Sequence, residues 1–471
     1  MTEIIRQKLS DSPAARWTAL FIVAFTMMMG YFITDVMSPL EDMLESTAGP
    51  GWSSTEYGFF SGSYGFINVY LLMLFFGGLI LDKMGVRFTG VLACICMAGG
   101  AFLKFYAIEF VSPEPTTYVN IPFLGLSQAM VKNQVLVAAL GFSIFGVGAE
   151  LCGITVTKII AKWFTGHGMA LAMGIQVAMA RLGTAAAIGC SAPIAHSFKL
   201  STPILFGTVC LIIGLLAFLV YCVMDRKLDK SVAAMATAET SAEAATADEE
   251  EGFKLSDLKA IFVNPGFWLI VFLCLLFYSG VFPFLKFATK LMIAKYGIDP
   301  EFAGTIPAIL PFGTIILTPV FGTVYDRIGR GATLMIIGSV MLMVVHICFA
   351  LPIVNSVFAV LLMVTLGIAF SLVPSAMWPS VPKIIPMKQL GSAYAIIFYI
   401  QNIGLSMVPI LIGNVLQANT TVADDGTKIM DFTNAMWIFA GFGMMAVIIS
   451  IILRMLDGKK HYGLEQANSK K

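Results

Sequence analysis

Polar residues in this chain fall into short clusters, and between the clusters run apolar stretches of twenty residues or more. Twelve such stretches can be marked, at 17–38, 57–81, 89–110, 136–160, 168–194, 203–224, 267–290, 303–324, 332–351, 357–381, 391–416 and 435–456. An α-helix rises 1.5 Å per residue, so about 20 apolar residues cross the hydrocarbon core of a bilayer. Each stretch therefore predicts one crossing helix. They are grouped as six, a polar interruption and six more. The pattern predicts an all-α membrane protein of 12 transmembrane helices in two six-helix halves: a tail at 1–16, a first bundle at 17–224, a linker at 225–265, a second bundle at 266–456 and a tail at 457–471. The first stretch is too long for the core of a cleavable signal peptide and lacks a small-residue processing site, so it is expected to remain as a helix.

The interruption has its own pattern. Residues 231–251 are almost entirely Ala, Thr, Ser and acids and end in Asp248-Glu249-Glu250-Glu251. Such a segment buries too little apolar area to fold and reads as a flexible tether. In the segment that follows, Leu255, Leu258, Ile261 and Phe262 share one helical face, which predicts a short helix lying on the inner membrane surface. The external loop 111–134 is longer than its counterparts and carries an apolar patch at 121–126, to which the sequence assigns no role.

Composition agrees with a membrane class. The chain is 58% hydrophobic and 12% charged, against about 25% charged in soluble proteins. The formal net charge of +1 points to no nucleic-acid partner. The placement of Lys and Arg is more informative. With the N-terminus inside, 21 of the 29 fall in inner segments and 5 in outer ones, so both termini are expected in the cytoplasm. The eight cysteines lie within the apolar stretches without metal-ligand or CxxC spacing, and read as reduced packing residues. No cofactor, metal or catalytic set is expected, nor enzymatic activity.

One polar cluster occurs twice. Gly78-Leu79-Ile80-Leu81-Asp82-Lys83-Met84-Gly85-Val86-Arg87 returns 244 positions later as Gly322-Thr323-Val324-Tyr325-Asp326-Arg327-Ile328-Gly329-Arg330. Each copy is a tight charged turn between two apolar stretches. Gly78 and Gly322 are expected to let helix ends approach closely, and Gly85 and Gly329 to permit the turn. Asp82 and Asp326 are expected to pair with Arg87 and Arg330 or with neighbouring helix N-termini. With Arg327, these residues read as a gating latch on the cytoplasmic side. A repeat of Thr157-Lys158-Ile159-Ile160 as Pro382-Lys383-Ile384-Ile385 supports duplication of the halves. The doubled turn resembles the signature loop of the major facilitator superfamily of transporters.

Candidate chemistry lies in the few charges inside the apolar stretches. An ionised side chain at mid-bilayer costs roughly 2.5–3.5 kcal/mol on insertion scales, so it must face water, a partner or both. Glu150, in the fourth stretch, and Arg181, in the fifth, each lie 13–15 residues from the shared cytoplasmic turn. Both are flanked by small residues. An acid and a base in one central cavity suit a zwitterion; a structural ion pair is the alternative. Asp35 and Lys286 divide between an outer salt bridge and substrate contact. Lys290 reads as a side chain reaching to the outer interface, Lys104 as snorkelling or paired, and His346 as a packing residue. Tyr64, Tyr278, Trp378, Tyr399, Gln401 and Asn402 are the uncharged candidates for lining a site for a polar ligand.

Further stretches narrow the resemblance. They include Tyr31-Phe32-Ile33-Thr34-Asp35, Lys162-Trp163-Phe164-Thr165-Gly166-His167-Gly168, Gly174-Ile175-Gln176-Val177-Ala178-Met179-Ala180-Arg181-Leu182-Gly183, Leu372-Val373-Pro374-Ser375-Ala376-Met377-Trp378-Pro379 and Gln401-Asn402-Ile403-Gly404-Leu405. Together these resemble the lysosomal branch of the superfamily that exports dipeptides in animals. The resemblance implies dipeptide uniport by alternating access, with Glu150 and Arg181 holding the two peptide termini. The tail 1–16 shows no acidic dileucine sorting signal, and the outer loops hold the single sequon Asn419-Thr420-Thr421. A monomer in a bacterial inner membrane without an accessory subunit is therefore expected, with the lysosomal membrane as the alternative. Two other readings stay open: a proton- or anion-coupled carrier of small organic acids, and a non-transporting sensor on the same fold.

Overall fold

The computed structural model describes residues 9–164, 168–238, 261–386, 389–422 and 428–467. Among the described residues the chain forms fourteen α-helices: α1 Pro13–Asp35, α2 Glu41–Glu45, α3 Ser54–Gly62, α4 Phe66–Tyr70, α5 Met73–Phe110, α6 Asn133–Phe164, α7 Met169–Ser197, α8 Thr202–Ala238, α9 Pro265–Tyr296, α10 Thr305–Ile328, α11 Gly331–Ala350, α12 Ser356–Ile384, α13 Leu390–Ala418 and α14 Thr433–Lys460. Among the described residues, eleven helices are long and apolar enough to cross a membrane. Their outward surfaces carry large exposed apolar side chains such as Phe21, Phe206, Ile316 and Val357, as lipid-facing helices require. "Inner" and "outer" below follow the Lys/Arg bias, with the repeated turns at the inner end.

The stretch expected as one helix at 57–81 is broken. It begins as α3, capped by Ser53, whose hydroxyl accepts from the Glu56 N–H while the Glu56 carboxylate accepts from the Ser53 N–H. A 3-10 turn, Ser63–Gly65, leads to α4, and the chain then passes through Leu72 at φ 55° before α5 starts. A left-handed leucine costs roughly 1–2 kcal/mol, and a broken helix leaves carbonyls without partners. One of these, Val69 O, is taken up by the Tyr399 hydroxyl of α13 at 3.1 Å. The break is thus held by a side chain from the other half. α5 then carries a second interruption at Gly85, φ 77° and ψ 171°. There the first copy of the repeated turn reverses the chain, in a conformation that favours glycine.

Two segments depart from the sequence reading. The external loop 111–134 forms an antiparallel hairpin, β1 Thr116–Ile121 with β2 Leu126–Lys132, and a second hairpin pairs β3 Thr420–Val422 with β4 Lys428–Met430. The all-α expectation therefore holds for the crossing segments and not for these outer loops. The apolar patch at its tip is explained: Leu124 and Leu126 are buried, and the Asn414 amide of α13 donates to Gly125 O. On the inner side, α8 runs on to Ala238, past the point where the tether was expected. The remainder of the tether and most of the expected surface helix lie outside the described residues.

At the outer end the halves meet backbone to backbone. A Cβ on Gly58 would lie 2.6 Å from Pro409 O and 2.9 Å from Gly413 Cα. The Ser406 hydroxyl donates to Gly62 O, and Ser54 N–H to Gln417 Oε1. Gly58→Val is expected to wedge this seam and to raise outer-side solvent access, read as faster external labelling of a cysteine placed at Thr55. An unchanged labelling rate would mean that the contact does not hold the seam closed.

Candidate functional site

Glu150 reaches the seam because α6 thins where it passes its neighbours. A Cβ on Gly148 would lie 2.6 Å from Ala93 O of α5, and one on Gly146 would lie 3.1 Å from the Tyr64 carbonyl carbon. That approach brings the Tyr64 hydroxyl to 3.0 Å from Glu150 Oε1, to which it donates. From the opposite half, the Asn402 amide of α13 lies beside the same carboxylate. Glu150 is half-buried.

Arg181 is also half-buried and also faces the seam. Gly183 lets α7 pack closely on α1 at Met28. The guanidinium then stands over two rings of the C-terminal half, Phe282 of α9 at 5.7 Å and Phe370 of α12 at 5.1 Å. Rings provide cation–π attraction without neutralising the charge. Among the described residues no ion pair joins Arg181 to Glu150 or to any other acid. The two charges thus share one interface as separate poles.

The uncharged candidates divide. Tyr64 and Asn402 meet at Glu150. Tyr278 accepts from the Trp378 indole at 2.9 Å and packs on Phe370, so this pair backs the wall on which Arg181 stands. Gln401 is buried and accepts from the Cys274 thiol, and Tyr399 is engaged with the broken helix. Tyr31 was not singled out by sequence, yet it lies within electrostatic reach of Arg181, Glu150 and Asp35. The Tyr31-to-Asp35 stretch held that signal, but nothing in it separated the tyrosine from a packing residue.

Asp35 and Lys286 pair with each other at 2.6 Å across the outer seam, and Lys286 also donates to Thr34 O. In this conformation the pair bridges the two halves. Two lysines depart from expectation. Lys290 does not reach out to the membrane surface; it crosses the seam to bond Asp42 and stands 3.8 Å from Glu45. Lys104 does not snorkel, and among the described residues it pairs with no acid. It is 0% exposed, donates to Ile33 O at 2.9 Å, and its ammonium stands 4.1 Å from the Phe142 ring centre. Phe60 and Phe145 complete a ring cage around it. Hydropathy reports depth in the membrane and not the direction a side chain faces, which is why both lysines were misread. His346 packs as expected, buried, with Nε2 2.8 Å from Gly280 O.

The first copy of the repeated turn is wired differently from the expectation. Arg87 pairs with Asp229 at 2.9 Å and Asp225 at 3.7 Å, both on α8, and not with Asp82. Asp82 pairs with Lys158 of α6 at 2.9 Å. Asp225 is buried and also receives Lys162, the Trp163 indole and the Tyr221 hydroxyl. These bonds stitch together the inner end of the N-terminal half. Gly78 and Gly322 are not required by close approach, since a Cβ on either would meet nothing within 4 Å. Gly329 is required twice over, by φ 73° and by the tail residues 465–467 packed against it. Arg327 and Arg330 are exposed and Asp326 lies beside them on the surface. Beyond α14 the tail binds back onto this turn. Glu465 accepts from the Thr333 N–H and hydroxyl, and Lys383 donates to Gly463 O and Gln466 O. Sequence reading missed Asp225, Asp229 and Glu465, because each acquires its partners only through tertiary contact.

Comparison with known proteins places the chain in a family. A family model described as Major Facilitator Superfamily matches residues 20–409 and 288–470. The lysosomal dipeptide transporter MFSD1 of Bos taurus is 25% identical over 427 residues, covering 86% of this chain and 80% of that protein. The protein of that name from Gallus gallus is 27% identical over 299 residues, covering 60% and 63%. Among solved structures, the nucleoside transporter NupG superposes with a TM-score of 0.65 at 16% identity over 93% of this chain and 98% of that one. A POT family transporter in complex with a thioalcohol-conjugated peptide gives 0.65 at 13% identity over 94% and 96%.

Proposed function

The chain belongs to the Major Facilitator Superfamily, and from that premise we propose that it carries dipeptides by alternating access. It is a multi-pass integral membrane transporter, related to proteins named as lysosomal dipeptide transporters. One observation carries the finer reading: Glu150 and Arg181 face one seam from the N-terminal half, half-exposed, and remain unpaired with each other. A free dipeptide carries an ammonium and a carboxylate at its two ends. Its carboxylate matches the planar fork of Arg181, and its ammonium matches Glu150, which Tyr64 and Asn402 hold in place. Contacts from both halves let the bound peptide draw them together as the outer pairs open, the rocking cycle expected for such folds. A bacterial inner membrane as the site of residence is part of the same proposal.

A carrier of small organic acids is the second reading, since Arg181 without a carboxylate partner would anchor any anion. Counterflow in proteoliposomes separates them. Labelled dipeptide is expected to exchange without a pH gradient, and an organic monoanion is expected not to compete. Exchange of the anion alone, or uptake only with an imposed pH gradient, would favour the second reading.

A further inference from the structure

Three carboxylates crowd the outer end of the seam, and Lys290 faces them across it. Glu41, Asp42 and Glu45 belong to α2, which packs on α9 of the other half. Lys290 of α9 bonds Asp42 and stands 3.8 Å from Glu45. Glu41 is different from both. Its residue is 0% exposed, and neither carboxylate oxygen has a hydrogen-bond partner among the described residues.

An ionised carboxylate without a donor and without water costs several kcal/mol. A protonated one costs only what an unpaired polar group does. Lys290 is already engaged by Asp42, and among the described residues no cation bonds Glu41. The side chains packed around Glu41 do not supply one. α3 offers Tyr57, whose hydroxyl donates to Lys286 O, and Lys286 is neutralised by Asp35. α7, packed on the turn before α2, offers His196 and Cys190, both exposed.

We propose that Glu41 is an external proton-binding site, holding a proton while the outer seam is closed and releasing it when the seam opens. The route out is short. Glu45, one helical turn along α2, lines a cavity of about 330 Å³ at the outer surface together with Glu56, Lys132 and Gln417. Opening the seam parts α2 from α9, wets Glu41 and allows it to ionise. The closed form then binds one proton more than the open form. Its added stability is present in acid and fades as external pH rises, which makes acid the condition that closes the outer gate. The proton returns to the side it came from, so this is modulation and not proton-coupled transport. The proposal rests on the alternating-access reading and not on the identity of the cargo.

The test is made without cargo. Spin labels at Ser112→Cys and Val422→Cys, exposed sites on the two halves, are placed in a background with the eight native cysteines replaced, in nanodiscs, and their distance distribution is followed against pH. The open-to-closed ratio is expected to rise with pH by up to about tenfold per unit, the limit for one proton. Glu41→Gln is expected to remain closed at every pH. Infrared spectra of the wild type should lose a protonated-carboxyl band over the same range, a test that needs no folded variant. Two populations in a ratio indifferent to pH, a Glu41→Gln variant with wild-type pH dependence, or opening without loss of the carboxyl band would overturn the proposal alone. A single population at every pH would overturn it together with alternating access.

Discussion

Arg181→Ala is expected to lower dipeptide affinity by at least about 30-fold, the equivalent of roughly 2 kcal/mol and the low end for truncating one member of a desolvated charge pair. The guanidinium stands on Phe282 and Phe370, and neither ring can replace the lost cation. Arg181→Lys is expected to recover only part of the loss. A lysine keeps the charge but neither grips a carboxylate at two points nor stacks on the two rings as a planar group does. Glu150→Gln keeps an oxygen for the Tyr64 hydroxyl and removes the charge, so the site should stay folded. It is expected to weaken peptides with a free amino group and to leave N-acetylated peptides, already weak, unchanged. Equal losses for both peptide classes would assign Glu150 to structure. Equilibrium binding of labelled peptide to purified variants measures all of these.

Asp35→Ala is expected to shift the resting transporter from outer-closed to outer-open by about a hundredfold or more in population. The Asp35–Lys286 pair is nearly enclosed, with side-chain exposures of 7% and 13%. Removing one partner of a buried pair costs about 3–5 kcal/mol, because the other charge is left uncompensated. Only the closed conformation holds this pair, so that conformation bears the whole cost, and 2.7 kcal/mol is about a hundredfold. Thr34 O and the face of Phe142 remain to Lys286 but carry no charge. The double change Asp35→Leu with Lys286→Met removes the stranded charge and is expected to restore closure in large part. External accessibility of a cysteine at Thr55 reads both variants. A closed Asp35→Ala protein would show that the backbone contacts of α3 and α13 hold the seam without help.

Much of this arrangement was legible in the sequence, and the remainder fails for identifiable reasons. The apolar stretches and the doubled turn gave the membrane class, the two halves and the family. Glycines at 85 and 329 were correctly read as turn formers, since a charged cluster between two helices needs a backbone reversal. Glu150 and Arg181 stood out because charge at mid-membrane depth is expensive wherever it faces. The helix break at Leu72 was not legible, because leucine is a good helix former and the partner that holds the break, Tyr399, lies more than 300 positions away. The pairing of Arg87 with α8 was missed for a similar reason: Asp225 and Asp229 were assigned to the linker, and only the continuation of α8 carries them to the loop. Glu41 escaped notice altogether. It lies just past the end of the first apolar stretch, where an acid looks like ordinary surface until the fold buries it.

The central claim is that one site at the seam recognises a peptide by its two charged ends. Thermal unfolding of the purified protein with four ligands tests it most directly, since a ligand that binds the folded form raises its midpoint by mass action: a free dipeptide, the same peptide acetylated at its amino end, the same peptide amidated at its carboxyl end, and the peptide blocked at both. The account predicts a clear rise with the free dipeptide, a smaller one with either single block, and none with both ends blocked. A midpoint raised equally by all four, or by none, would contradict it.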